Sequence, residues 1–164
     1  MYLQLDELLY FILVWKWGMF VNDDKYAGIR LDNQLCFPLY VCSKEIVRKY
    51  KPFLDELNLT YTQYIAMMVL WEKKEVTVTE LGNRLYLDSG TLTPLLKKLE
   101  QKGYVTRKRM ESDERNVCIS ITAKGDELKE EAVKIPKKIR CCMTLDDNEA
   151  KVLYSILHKV LDNF

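Results

Sequence analysis

Two sets of residues in this chain have types and spacings suited to chemistry. The first is a thiol, Cys36, in the run LDNQLCFPLY. A cysteine reacts as its thiolate, so a reactive one must be accessible and have its charged form stabilised. No lysine or arginine adjoins Cys36 in sequence. Phenol O–H donors are the alternative, because hydrogen bonds to the anion favour it, and Tyr40 lies one helical turn further on. Taken alone, such a cysteine is more often a small buried hydrophobe than a reagent. The second set is a basic strip from Arg84 to Arg115, with eight lysines and arginines against five acidic residues. A local excess of this kind is what a nucleic-acid footprint requires.

Bulk composition narrows the classes. With 164 residues, 48% hydrophobic and 30% charged, the chain is of a size and make-up to bury one globular core. The formal charge of +1 carries no global sign of nucleic acid, so any footprint is local. Five cysteines without a CxxC pair, and a single histidine, His158, argue against zinc and against a disulfide scaffold. No metal or cofactor is expected, and free thiols point to a reducing cytoplasm. Leu8–Trp15 is apolar but, at eight residues, too short for a membrane span, which takes roughly 20. No basic segment precedes it as in a secretory signal. Residues 1–18 are read as an N-terminal extension of open status: an extra helix on the body, or upstream codons ahead of Met19. Residues 19–164 form a single domain.

These groups need positioning elements. Leu31 to about Tyr50 reads as a helix interrupted at Pro38 and ended or bent again at Lys51-Pro52. Tyr61–Glu72 carries a helical stripe of Tyr61, Tyr64, Ile65, Met68 and Val69, with Thr60 as N-cap. Thr77-Val78-Thr79-Glu80 has the capping-box pattern, with Val78, Leu81 and Leu85 inward. Asp88-Ser89-Gly90 forms a turn before a helix to Gln101. That helix carries Leu92, Leu95, Leu96 and Leu99 on one stripe, a slight kink at Pro94 and a stop at Gly103. The period then alternates: residues 104–109 and 116–122 read as paired strands, with Val117, Ile119 and Ile121 on one face and a polar loop at 110–115. A final helix from Asp146 bears Leu153, Ile156, Leu157, Val160 and Phe164. Its stripe exceeds what so small a body can cover, which predicts a two-fold partner copy. The fold class expected is mainly α with a small β-hairpin wing, a winged helix-turn-helix.

Helix, turn, helix and basic hairpin in this order grip duplex DNA, the helix entering the major groove where base edges are distinguishable. Ser89, Thr91, Thr93, Lys97 and Lys98 are left facing outward from the leucine stripe. The hydroxyls near the helix start suit phosphates or bases, and the lysines suit phosphate. On the hairpin, Arg107 and Arg109 add positive charge, and Arg115 near the tip is placed to enter a narrow minor groove, braced by Asp113.

LYLDSGTLTPLLKKLEQKGYVTRKR followed by DER resembles the MarR family of bacterial regulators. LDNQLCFPLY, YKPFLDELNLTYTQY and LYLDSGTLTPLLKKLE resemble its OhrR subgroup, thiol-based sensors of organic hydroperoxides. The similarity runs from about Leu31 to the C-terminus; the first 18 or so residues have no counterpart. It implies a MarR-like homodimer of winged-helix lobes, with the winged helix-turn-helix at about 60–122 and dimerisation helices at about 31–52 and 123–164. It implies a repressor bound to a pseudo-palindromic operator, with an organic hydroperoxide as signal and no role as an enzyme.

The resemblance also implies that Tyr50 and Tyr61 reach Cys36 as donors from the partner subunit. Cys141 and Cys142, in IPKKIRCCM, lie where some members carry a second, resolving cysteine; in others a small-molecule thiol resolves. Cys42 and Cys118 read as structural. Two alternatives stand beside this reading. One is a regulator of the same architecture released by a small aromatic ligand. The other is a thiol peroxidase, disfavoured because no thioredoxin-like βαβ pattern or CxxC pair is present.

Overall fold

The computed structural model describes residues 25–110 and 113–164, without the side chains of 110 and 113–116. The expectations for residues 1–18 therefore lie outside the described residues. The chain divides into two units, Met1–Glu45 and Ile46–Phe164, taken separately below.

In the first unit, two 3-10 turns, Ala27–Ile29 and Leu31–Asn33, lead into helix α1, Cys36–Glu56, whose later part belongs to the second unit. Asn33 Nδ2 donates to the Ala27 carbonyl at 2.8 Å and Gln34 Nε2 to that of Gly28 at 2.7 Å, fixing the approach to Cys36. The helix thus starts five residues later than its periodicity predicts, at Cys36 and not Leu31. Pro38 falls in the first turn, where no intrahelical donor is needed, so it interrupts nothing. Pro52 is interior, yet the helix runs through it to Glu56. The burial of Leu54, one turn beyond Lys51, holds the last turn on the core against the lost backbone bond.

In the second unit, α2 (Tyr61–Lys73) opens with a complete capping box, Thr60 paired with Gln63. A short strand, β1 (Glu75–Thr77), was not legible as one: three residues have no period. Thr77 then caps α3 (Val78–Leu85), accepting from the Glu80 N–H. Glu80's own carboxylate takes Lys73 at 2.6 Å, where the box pattern has it reach back to the cap. Asp88 caps α4 (Ser89–Gln101). Gly103, at φ +74°, ends it, with the Tyr104 N–H on the Leu99 carbonyl and the Gly103 N–H on that of Glu100.

Strands β2 (Val105–Met110) and β3 (Asp113–Ile121) pair antiparallel, and β1 adds to the other edge of β3, giving the order β1-β3-β2. The hairpin is longer than expected: after a register shift at Arg109/Met110, Met110 pairs with Asp113, so strand replaces most of the polar loop. Ladder bonds are backbone bonds, so a polar sequence does not prevent them. Short helical segments α5 (Ala123–Glu127), α6 (Lys129–Ala132) and α7 (Ile135–Arg140) follow, and then α8 (Asp147–Leu161).

The core holds Leu54, Met67, Leu70, Leu81, Leu92, Leu96, Leu99 and Ile119, all at most 2% exposed. Four leucines of α4 are buried, each stabilising by about 1.5–3 kcal/mol, and this seats the helix with its other face in solvent. Trp71 closes the far side, its indole N–H donating to the Gly125 carbonyl at 2.9 Å. A Cβ on Gly125 would sit 2.1 Å from the Tyr104 carbonyl oxygen. Gly125→Ala is therefore expected to destabilise the protein by about 1–3 kcal/mol, the usual range for overpacking, as a lowered denaturant midpoint in chemical unfolding.

Candidate nucleic-acid interface and thiol site

The outward face of α4 carries Ser89, Thr91, Thr93, Lys97 and Lys98, all exposed, as the leucine stripe requires. Their hydroxyls are not equivalent. Thr91 Oγ1 donates to Asp88 Oδ2 at 2.9 Å, and Thr93 Oγ1 donates to the Ser89 carbonyl at 2.7 Å. Both threonines thus present acceptor lone pairs and methyl groups. The Thr91 N–H and hydroxyl hold the Asp88 carboxyl below the usual carboxylate range, so a charged cap occupies the helix start. One of the N–H groups at that end is thereby satisfied from within.

On the wing, β2 divides the run Arg107-Lys108-Arg109 between faces. Arg107 and Arg109 pair with Ile119 and Val117, while Lys108 pairs with Cys118 on the opposite face. Arg107 Nε donates to Glu100 Oε2 at 2.8 Å, which braces the wing against α4. Arg109 and Lys108 are exposed. Asp113 and Arg115 lie on β3, but the bracing between their side chains falls outside the described residues.

Cys36 is the first residue of the 21-residue α1 and is exposed. Sequence reading placed it within the helix. At a helix start the unpaired N–H groups favour negative charge beside them. Tyr40, in the same unit, is 63% exposed, with Lys44 Nζ 5.7 Å from its ring centroid. In the second unit Tyr50 and Tyr61 are brought together, ring centroids 5.1 Å apart at 67°. Tyr64 extends the cluster at 5.9 Å from Tyr50 and reaches Trp71 at 6.1 Å. Sequence reading gave Tyr64 no part in it. Its place on the α2 stripe was the available signal, but helical spacing does not separate a core ring from a sensor ring. Burial first, then Tyr61, pushes the Tyr50 phenol above its ordinary pKa, which keeps it an O–H donor.

The other thiols differ in setting. Cys118, on β3, is half-buried; its Sγ lies 3.7 Å from the Val76 carbonyl, and burial followed by Glu75 pushes its thiol up. Cys42, expected as a structural thiol, is exposed in this single chain. Cys142 Sγ donates to the Lys138 carbonyl at 3.5 Å. Cys141 lines a surface concavity of about 650 Å³ with Pro136, Lys137, Arg140 and Leu145. Among the described residues no group of three or more histidines, cysteines or carboxylates is placed to hold a metal. A separate apolar cavity of about 420 Å³ is lined by Tyr64, Met68, Trp71, Ala132, Val133 and Pro136, among others.

Comparison with known proteins places this geometry. Residues 48–132 match the model of the family described as transcriptional regulator SarA/Rot. The chain is 50% identical over 85% of its length to an organic hydroperoxide resistance transcriptional regulator of Bacillus subtilis, covering 95% of that protein. Among solved structures, reduced AbfR bound to DNA superposes with a TM-score of 0.70 at 37% identity, covering 85% of this chain and 96% of that one. Disulfide-formed AbfR, at 36% identity and with 85% and 94% covered, gives a TM-score of 0.59. A cysteine-to-serine mutant of MarR from E. coli, complexed with operator DNA, gives 0.74 at 26% identity, with 84% and 99% covered. With a reading helix, a wing and an exposed thiol at a helix start, matched to these relatives over most of its length, the chain belongs to the MarR family of winged-helix transcriptional regulators, in its OhrR subgroup.

Proposed function

We propose that this protein is a homodimeric transcriptional repressor that senses organic hydroperoxides through Cys36 and then releases its operator. The observation that carries this reading is the exposed thiol of Cys36 at the start of α1, in a chain 50% identical to a hydroperoxide-resistance regulator. The thiolate attacks the terminal peroxide oxygen: an S–O bond forms as the O–O bond breaks, Cys36 becomes a sulfenic acid, and the departing alkoxide takes up the proton the thiol had released, leaving as the alcohol. A second thiol then condenses with it, forming a disulfide and releasing water. Tyr50 and Tyr61 of the partner subunit donate to Cys36 in the reduced state, with Tyr40 beside it. Their ring pair gives one compact set of donors to be displaced together.

The organisation proposed is a single domain over residues 19–164. The winged helix-turn-helix lies at about 60–122 and the dimerisation helices at about 31–52 and 123–164. In the single chain α8 is exposed throughout, Val152, Tyr154 and Ile156 each by more than half, which is the apolar surface a second copy would cover. Two lobes reading adjacent major grooves need half-sites about 10–10.5 bp apart, so a modest rotation breaks both contacts. Cys141, open in its concavity, is the better resolver; Cys142 is tied to its own helix turn. Among the described residues no helix is long and apolar enough to cross a membrane, and we place the protein in the cytoplasm as a regulator without catalytic turnover.

A second reading has one observation in its favour: the apolar cavity beside Tyr64 and Trp71 suits a small aromatic ligand. The two are separated by a mobility-shift assay on the DNA upstream of the protein's own gene. Cumene hydroperoxide is expected to release wild type and leave Cys36→Ser bound; release of both, or release by an aromatic carboxylate without oxidant, favours the ligand reading. Lys97→Ala and Lys98→Ala are each expected to weaken operator binding across sequences and to reduce the salt-dependence slope by about 1, read by titrations at several salt concentrations. Cys141→Ser is expected to abolish the disulfide-linked dimer on non-reducing gels after oxidation, and Cys142→Ser to preserve it.

A further inference from the structure

The leucines that seat α4 are non-directional contacts and specify no partner for its far end. The directional bonds from that end to the start of α2 come from one residue. Lys102, the C-cap of α4, donates from Nζ to the Asn58 carbonyl at 2.5 Å and to Gln63 Oε1 at 2.9 Å. Gln63 is 2% exposed, the one fully buried polar side chain among the described residues. The same Oε1 accepts from the Thr60 N–H at 3.1 Å, closing the capping box that begins α2. Tyr61 is the next residue and the first of that helix.

A chain of contacts therefore runs from the Tyr50–Tyr61 ring pair, through the first turn of α2, to the end of the DNA-reading helix. Asn58 adds a fixed anchor: it holds a left-handed φ of 53°, which turns the loop between α1 and α2. Burial, then Lys98, pushes the Lys102 ammonium below the usual lysine pKa. A buried amide oxygen with two donors does not exchange one of them for water freely, so displacement of the turn carries the lysine with it.

We propose that Lys102 is the positioning residue that couples the sensor tyrosines to the DNA-reading helix: a shift of the Tyr61 turn is transmitted through Gln63 to α4. This rests on the peroxide-sensing reading above. Oxidation moves the phenol contacts, the α2 cap moves with Tyr61, and the strut draws the C-terminal end of α4 out of its groove-competent setting. Without the strut, α4 stays on its leucine seat whatever the sensor does. The neighbouring bond from the Tyr104 hydroxyl to the Leu57 carbonyl, at 3.4 Å, is longer and does not touch the cap.

The test uses the full-length protein with Lys102→Met, Gln63→Glu and Tyr104→Phe. Three quantities are read: trapping of the Cys36 sulfenic acid, operator affinity reduced, and operator affinity after cumene hydroperoxide. Lys102→Met is expected to form the sulfenic acid as wild type does and to bind reduced operator within about threefold. Its ratio of reduced to oxidised affinity should fall about tenfold, within the roughly 5–150-fold span usual for coupling between sites. Gln63→Glu keeps both an acceptor for the cap and a partner for the lysine, so it should retain the ratio, as should Tyr104→Phe. An unchanged ratio in Lys102→Met overturns the assignment, as does a loss of reduced affinity with the ratio preserved, which marks a purely structural lysine. Should that variant fail to fold, amide exchange in wild type decides: oxidation must quicken exchange at residues 60–63 and at the last turn of α4 together, and a change confined to the former overturns the assignment. Wild type that keeps its operator after Cys36 is oxidised overturns the sensing reading and the coupling together.

Discussion

A single buried oxygen, Gln63 Oε1, organises much of what lies between the two helices on which function rests. It closes the N-terminus of α2 and accepts from the ammonium of Lys102, the C-cap residue of α4. Buried polar atoms must be satisfied, because an unpaired one forfeits its hydration with nothing in return. No buried side-chain nitrogen or oxygen among the described residues lacks a partner. The registry of α4 relative to α2 is thus set by hydrogen bonds, while the energy that keeps α4 on the body comes from its four leucines.

The nucleic-acid face follows the same division. Leucines turned inward leave hydroxyls and lysines outward, but the internal bonds of Thr91 and Thr93 take up their protons. What they leave facing outward is an acceptor and a methyl group, the kinds of group complementary to exocyclic amines and to the thymine methyl. Arg107 is similarly committed to Glu100, so it stiffens the wing while Lys108 and Arg109 stay exposed. The thiol face depends on termini instead of faces. Cys36 owes its position to the two turns that precede it and to a helix that can start there despite Pro38.

Much of the architecture was legible in the residues. The leucine spacing located α4 to within a residue at each end, Gly103 marked its stop, and the alternation of Val117, Ile119 and Ile121 located the wing's inner face. The cap at Thr60 was legible from residue type; its partner Gln63 was not named, although the spacing of three carried that signal. Where sequence reading slipped, the cause was an interaction at long range or a very short element. Strand β1 exists because β3 pairs with it, and the hairpin runs to Met110 and Asp113 because ladder bonds are made by backbone and do not require apolar residues. Pro52 does not end α1, since the buried Leu54 beyond it holds the last turn on the core.

Residue identity and spacing determined the main helices, the wing and the leucine seat of α4, because periodicity and caps are local properties of the chain, whereas Cys36 was singled out by the resemblance of its surrounding run to the OhrR subgroup. Tertiary structure alone decided that Tyr50, Tyr61 and Tyr64 cluster and that Lys102 reaches across 39 residues to Gln63. Those are relations between side chains brought together by folding. Linear spacing does not encode them, because a hydrogen bond depends on distances that only the packed core sets.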